Sequence, residues 1–161
     1  MCSGKTSAGR ALARRLGLRF ADSDALAARR AGRGVYSFVE RSGLAAFRRL
    51  EAACVRKLAA GRGRVVALGG GFYPSGRRAG LLARGGVTVF LHCPWPLLER
   101  RLEKARGPRP LLKGPWEKAR ARARKLYARR LPFYRRADIT VNTAGLTPAG
   151  VAAAIAEELK K

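Results

Sequence analysis

The sequence, 161 residues long, predicts an α/β domain in three layers: a parallel β-sheet with helices on both faces. Three observations carry that prediction. Short apolar runs at 64–68 and 87–91 are bounded by turn residues and have the unbroken hydrophobic character of strands buried on both faces. Helical patterns rich in Ala, Leu and Arg separate the strands, the alternation expected when crossover helices join parallel strands. The chain also opens on Ser3-Gly4-Lys5-Thr6 just ahead of such a pattern, which is the second half of a glycine-rich loop that turns backbone N–H groups toward phosphate at a helix N-terminus.

Taken in order, Thr6 to Leu16 reads as a helix, with Ala8, Leu12 and Leu16 four apart and Gly17 ending it. Leu18 to Asp24 reads as a short strand with acidic residues at its C-terminal end, followed by helical stretches near Ala25–Arg30 and Tyr36–Arg41. Leu44 to Ala60 is the strongest amphipathic helix. Phe47, Leu50, Cys54 and Leu58 share its apolar face, and Arg48, Arg49, Glu51, Arg56 and Lys57 spread around the others. Arg64 to Leu68 is a strand that stops at Gly69-Gly70-Gly71, and Val87 to Leu91 is the next. Pro96 to Ala105 is helical, then glycines and prolines between Gly107 and Pro115 break the pattern into a loop. Helix resumes over Glu117–Arg130, a last strand covers Ile139–Asn142, and Thr147-Pro148 supplies the N-cap and first-turn proline of a closing helix to Leu159. A phosphate loop of this kind joins a strand to a helix, and its first glycine falls just ahead of Met1. A fifth strand, a short apolar run ending in Gly-x, is therefore expected in frame immediately upstream.

The length suits one domain, residues 1–161, with its own core. No apolar run approaches the roughly 18 to 20 residues of a membrane span, and no cleavable signal precedes Gly4, so a cytoplasmic location without membrane contact is expected. Three cysteines without CxxC spacing and a single histidine offer no zinc set; Cys2, Cys54 and Cys93 read as reduced packing residues. The chain carries 35 Lys+Arg against 10 Asp+Glu, a formal net charge of +25, which attracts polyanions in a salt-dependent way. The cations are spread along the chain and scattered around the 118–130 helix. Solvated helix faces therefore explain them better than a nucleic-acid element, and nucleic acid is expected to bind only nonspecifically.

Asp22-Ser23-Asp24 places two carboxylates at i and i+2 at a strand's C-terminal end, a spacing that puts both on one side, facing the same crevice as Lys5. One of them can hold a magnesium ion with Thr6, and the other can orient or deprotonate an acceptor hydroxyl. Capping of the following helix by Asp24 is the plainer alternative. The triple glycine suits a backbone that must closely approach a small polar substrate, a loose turn being the alternative. Arg109, in the Gly/Pro-bounded loop, can close over a triphosphate or simply be solvated.

Together these residues resemble the shikimate kinases, P-loop small-molecule kinases. The resemblance rests on GKT at 4–6, DSD at 22–24, GLAAFRRLE at 43–51, LGGG at 68–71, RPLL at 109–112 and ARRLPFYRRAD at 128–138, in family order over essentially the whole chain. It implies a P-loop kinase fold whose normally central first strand is the expected upstream one. It also implies a substrate-binding helical segment at about 25–60 and a lid loop at about 106–116. The implied reaction is ATP-dependent, magnesium-supported phosphorylation of shikimate to 3-phosphoshikimate by a monomer. Carried over by residue, Ser3 to Ser7 bind the nucleotide, Lys5 contacts the transferring phosphates, and Thr6 with Asp22 supports the metal. Asp24 binds the acceptor hydroxyl and is the base, Arg48 and Arg130 grip the substrate carboxylate, and Gly69, Gly70 and Gly71 line its pocket. Arg109 reaches ATP from the lid, and Arg101 flanks adenine.

Departures from the family pattern are Leu44 for a glutamate, Val39 for an aromatic, Ala67 for a hydroxyl and Cys2 for a loop glycine. Three other readings compete: a different small-molecule kinase of the same fold, a catalytically impaired relative that binds nucleic acid through its charge, and a truncated gene model, which is compatible with the kinase.

Overall fold

The computed structural model describes residues 2–32, 34–72, 80, 82, 85–105 and 112–161, with the backbone alone at Val35 and Tyr36. Six labelled helices and four strands follow in the order α1 (Lys5–Arg15), β1 (Arg19–Asp22), α2 (Ser23–Ala31), α3 (Val35–Ala59), β2 (Arg64–Ala67), β3 (Val89–His92), α4 (Trp95–Lys104), α5 (Trp116–Tyr134), β4 (Ile139–Asn142) and α6 (Pro148–Glu158). All four expected strands form.

The strands pair in parallel, β1 with β2 and β3 with β4, Asp22 standing opposite Ala67 and His92 opposite Asn142. Among the described residues these are two separate two-stranded sheets, with no ladder joining β2 to β3. The apolar interior is divided in the same way. Leu12, Leu91, Val141 and Ile155 form one cluster between α1, β3, β4 and α6, and Leu98, Leu102, Ala119 and Ala123 form another between α4 and α5. Smaller clusters gather Ala27, Phe47 and Cys54, and Val55, Phe72 and Leu82. Cys54 and Cys93 are buried free thiols, as read, and Cys2 is half-buried. Among the described residues no helix is long and apolar enough to cross a membrane.

Several boundaries moved for physical reasons. The helices expected at 36–41 and 44–60 join into α3, interrupted at Gly43 by φ 78 and ψ 160, a conformation that only glycine adopts without strain. The break turns the second half of α3 so that Arg48 and Glu51 face the start of α2. Helix α5 runs four residues past Arg130, through Pro132, to Tyr134. A proline inside a helix forfeits one hydrogen bond and clashes with the preceding turn, so tertiary contacts must outweigh it. They are supplied by the Tyr134 ring, 5.5 Å from that of Phe90, and by its hydroxyl, which donates to the Gly70 carbonyl. The closing helix begins as expected, Thr147 Oγ1 accepting from Gly150 N at 3.1 Å.

Candidate active site at the carboxyl ends of the strands

The turn at Ser3-Gly4 delivers Lys5 and Thr6 to the first turn of α1, with Gly4 as a left-handed N-cap at φ 86. Cys2, which replaces a frequent loop glycine, is also left-handed at φ 54. Thr6 Oγ1 donates to Asp22 Oδ2 at 2.9 Å, so the phosphate-loop helix and the end of β1 meet at these two side chains. The other carboxylate oxygen of Asp22 accepts from the N–H groups of Asp24 and Ala25 at 2.9 and 3.2 Å. Asp22 is thus the N-cap of α2, and the alternative of capping by Asp24 is overturned. The strand ends between the two acids, so strand alternation does not align them as the i, i+2 spacing suggested. Asp24 instead projects from the first turn of α2.

Its surroundings are charged and close. Partial burial raises the Asp24 pKa above the usual carboxylate value, the neighbouring Glu51 and Asp22 raise it further, and Lys5 and Arg48 pull it down. Lys5, Asp22, Asp24, Arg48 and Glu51 therefore share one field. Glu51 was assigned by sequence to a polar face but is 1% exposed, and its carboxylate takes a hydrogen bond from Arg48 Nη1 at 2.7 Å. A signal was available: Glu51 stands four residues after Phe47 and three before Cys54, on the apolar stripe itself.

The triple glycine is held against this group. Gly69 N donates to Ser23 Oγ at 2.9 Å inside the protein, which fastens the loop to the start of α2. A β-carbon at Gly69 would stand 2.4 Å from Asp24 Oδ1 and 2.7 Å from Glu51 Oε1; one at Gly71 would stand 2.5 Å from the Arg48 guanidinium nitrogens. The glycines therefore lie in close approach to these side chains while also forming a turn, in which Phe72 N donates to the Gly69 carbonyl at 3.1 Å. Across the loop, Tyr134 donates to the Gly70 carbonyl and hydrogen-bonds Arg130, and burial holds its pKa above the usual phenol value against the pull of Arg130 and Arg48. Neither Ser23 nor Tyr134 was singled out by sequence, since each acts through a partner distant in the chain.

Arg101 reaches the phosphate-loop turn from α4, its Nη1 lying 3.9 Å from where a Gly4 β-carbon would be. Together with Ser3, Ser7, Thr143 and Leu146 it lines a cavity of about 250 Å³. Arg109 lies outside the described residues, as does 106–111 of the loop around it. Of the family departures, Leu44 is 56% exposed, Val39 packs beside Phe47, and Ala67 is buried at the end of β2. Among the described residues no cluster of three or more His, Cys, Asp or Glu side chains could cage a metal. Thr6 and Asp22 offer a smaller, all-oxygen donor pair. That suits magnesium, which takes one or two carboxylates and completes its shell with phosphates and water.

Comparison with known proteins agrees with this geometry. The family model described as Shikimate kinase matches residues 1–160. A shikimate kinase of Symbiobacterium thermophilum is 39% identical over 163 residues, a match covering 100% of this chain and 92% of that one. Another from Nitratidesulfovibrio vulgaris is 45% identical over 114 residues, covering 70% of this chain and 65% of the relative. Among solved structures, shikimate kinase from Acinetobacter baumannii in complex with shikimate superposes with a TM-score of 0.89 at 31% identity, covering 99% of this chain and 88% of that one.

Proposed function

We propose that this chain, which belongs to the shikimate kinase family, transfers the γ-phosphoryl group of ATP to shikimate, giving 3-phosphoshikimate and ADP on the route to chorismate and the aromatic amino acids. The observation that carries the proposal is the convergence of Asp24, Arg48 and Glu51 on the triple glycine, within the field of Lys5. A carboxylated polyol needs cations at one end and a proton acceptor at the reacting hydroxyl. Arg48 and Arg130 serve the carboxylate and Asp24 the hydroxyl, with Gly69, Gly70 and Gly71 leaving room between them.

Asp24 accepts the hydroxyl proton as the acceptor oxygen bonds to the γ-phosphorus and the bond to the bridging oxygen of ATP breaks. Its raised pKa improves it as a proton acceptor. Lys5 and the backbone of Ser3 to Ser7 hold the phosphates, and Arg101 flanks the adenine. Arg109 closes from the lid at about 106–116 and excludes water. Thr6 and Asp22 would hold Mg²⁺, which when bound would offset the charge of the phosphates. Arg48 leaves Glu51 in part to meet the substrate, so Glu51 orients the guanidinium before binding. No covalent intermediate on the protein is needed, since alignment and charge stabilisation suffice for phosphoryl transfer.

We read the chain as one kinase domain acting as a monomer in the cytoplasm. Its surplus of cations draws nucleic acid only nonspecifically. The test is a coupled assay of ADP release with shikimate and Mg²⁺. Saturable, shikimate-dependent turnover that Asp24→Asn and Lys5→Met abolish is expected, and unchanged turnover in both variants would sink the proposal.

A further inference from the structure

Helix α5 carries seven cations between Lys118 and Arg130, against one acid in its first turn, Glu117. As a sequence they scatter around the axis, but the structure separates them by what each side chain meets. Arg130 hydrogen-bonds Tyr134, and Arg120 pairs with Glu99 and Glu117. Lys118, Arg122, Lys125 and Arg129 are exposed, while Ala119 and Ala123 of the same helix are buried against α4. Steps of four, three and four residues keep these four cations within about 60° of one another around the axis, in a line roughly 16 Å long. Among the described residues Lys118, Lys125 and Arg129 make no ion pair. Arg122 is braced at the start of the line, where it donates to the Lys113 carbonyl. Like charges three and four residues apart repel and weaken a helix, a cost that an anionic partner lying along the line would remove.

The line runs on into a stacked pair. Phe133 stands one turn beyond Arg129, half-buried, and Arg136 in the turn that closes α5 lays its guanidinium carbon 5.5 Å from the centre of the Phe133 ring. A row of single cations suits a row of single phosphates, and a flat ring with a guanidinium on it suits the face of a base. A base can use such a platform only when it has left its own stack, so the fitting strand is single. A lipid surface fits less well, because it takes up apolar side chains beside the basic ones. Among the described residues no large hydrophobic side chain on α5 is exposed. Arg130 lies about 100° around the helix from Arg129, so the line and the acceptor pocket use different faces of α5.

We propose that this face of α5 binds single-stranded nucleic acid without sequence preference. Lys118, Arg122, Lys125 and Arg129 each meet one of a run of phosphates, and Phe133 with Arg136 stacks the base at the end. The proposal does not rest on the kinase assignment. It seats on one face an attraction that the net charge of +25 would otherwise spread over the whole surface.

The test is fluorescence anisotropy with a labelled oligoadenylate of about ten nucleotides, titrated across a range of salt with ADP and Mg²⁺ in excess to occupy the phosphate loop. Ribose and deoxyribose forms of the probe separate RNA from DNA as the strand preferred. A variant with Lys118→Gln, Arg122→Gln, Lys125→Gln and Arg129→Gln is compared with a control that loses the same charge elsewhere. The control carries Arg14→Gln, Arg15→Gln, Arg56→Gln and Lys57→Gln, exposed positions in the last turns of α1 and α3. At about 0.7 per phosphate contact, the α5 variant should lower the slope of log K against log salt by roughly three and weaken binding on the order of 100-fold at physiological salt. The control should change neither by a comparable amount. Phe133→Leu should weaken oligoadenylate binding about tenfold with the salt slope kept, and leave binding of inorganic polyphosphate as it was.

Equal losses in the two quadruple variants would overturn the proposal in favour of diffuse charge. Inorganic polyphosphate of the same charge competing as well as oligoadenylate would overturn the base-stacking part. Tighter binding to phosphatidylserine vesicles than to oligoadenylate would overturn the choice of partner. Far-UV circular dichroism checks that each variant folds. Lys118→Gln and Lys125→Gln made singly, each expected to lower the slope by about 0.7, decide the matter if the quadruple variant does not.

Discussion

Replacing Gly69 with alanine separates a close-approach role from a turn role, because the two predict effects of opposite sign. Gly69 lies outside the left-handed region, so alanine meets no backbone objection there. The added carbon would stand 2.4 Å from Asp24 Oδ1, whereas ordinary van der Waals contact begins at 3.4 Å, so the carboxylate must retreat by about 1 Å. A misplacement of that size at a reacting group costs about 100-fold in rate, or roughly 2.7 kcal/mol of transition-state stabilisation. Glu51 Oε1, at 2.7 Å from the same carbon, is buried and ion-paired and cannot yield freely. Overpacking should also cost about 1 to 3 kcal/mol of stability. The assay is steady-state ADP release with shikimate varied at saturating ATP, run beside urea unfolding. A loose turn would instead gain about 0.4 to 1 kcal/mol from alanine through the unfolded chain. A Gly69→Ala protein with undiminished kcat/KM and raised stability would refute the close-approach reasoning.

Asp24→Asn should stabilise the protein at neutral pH while destroying activity. Because the folded-state pKa of Asp24 is raised, ionising it costs folding free energy, a cost absent at low pH, where both states are protonated, and fully present above the folded pKa. The variant's Tm advantage should therefore shrink as pH falls toward about 3; an advantage that widens on acidification contradicts the assigned cause. Tyr134→Phe removes the hydroxyl that ties Gly70 to Arg130 and is expected to raise KM for shikimate about tenfold, with KM for ATP unchanged, as measured by separate substrate titrations. An equal rise in both constants would indicate general loosening. Cys2→Gly relieves a left-handed non-glycine residue, φ 54, and should stabilise the phosphate-loop turn by about 1 kcal/mol, read as a lower Kd for ADP by calorimetry.

Local patterning made the elements legible. Each strand was a short apolar run between turn residues, and Thr147-Pro148 carried the start of α6 in two letters. Tertiary contacts set what local rules missed. Pro132 signals a helix end, but a ring against Phe90 and a hydroxyl on a distant carbonyl carry α5 on to Tyr134. In the site, Thr6, Asp22, Asp24, Arg48 and the glycines were named because their types and order carry chemistry. Glu51 escapes a reading that equates charge with exposure, although its position on the apolar stripe accounts for its burial. The reversal at Asp22 and Asp24 has a similar origin: in Asp-Ser-Asp either acid can cap, and the choice depends on where the strand stops.

Asp22 divides its two oxygens between different tasks. One is committed to the helix behind it, and the other, among the described residues, accepts from the Thr6 hydroxyl. A bond to a hydroxyl is readily exchanged for a bond to a water or an ion, whereas releasing the oxygen on the two backbone N–H groups would uncap α2. Changes on the phosphate side can therefore be absorbed at one lone oxygen, without moving Ser23, the glycine loop fastened to it, or Asp24. The carboxylate works as a mechanical insulator. On the proposed assignment, Asp22 would let the nucleotide side at α1 change while Ser23, the glycine loop and Asp24 keep their arrangement.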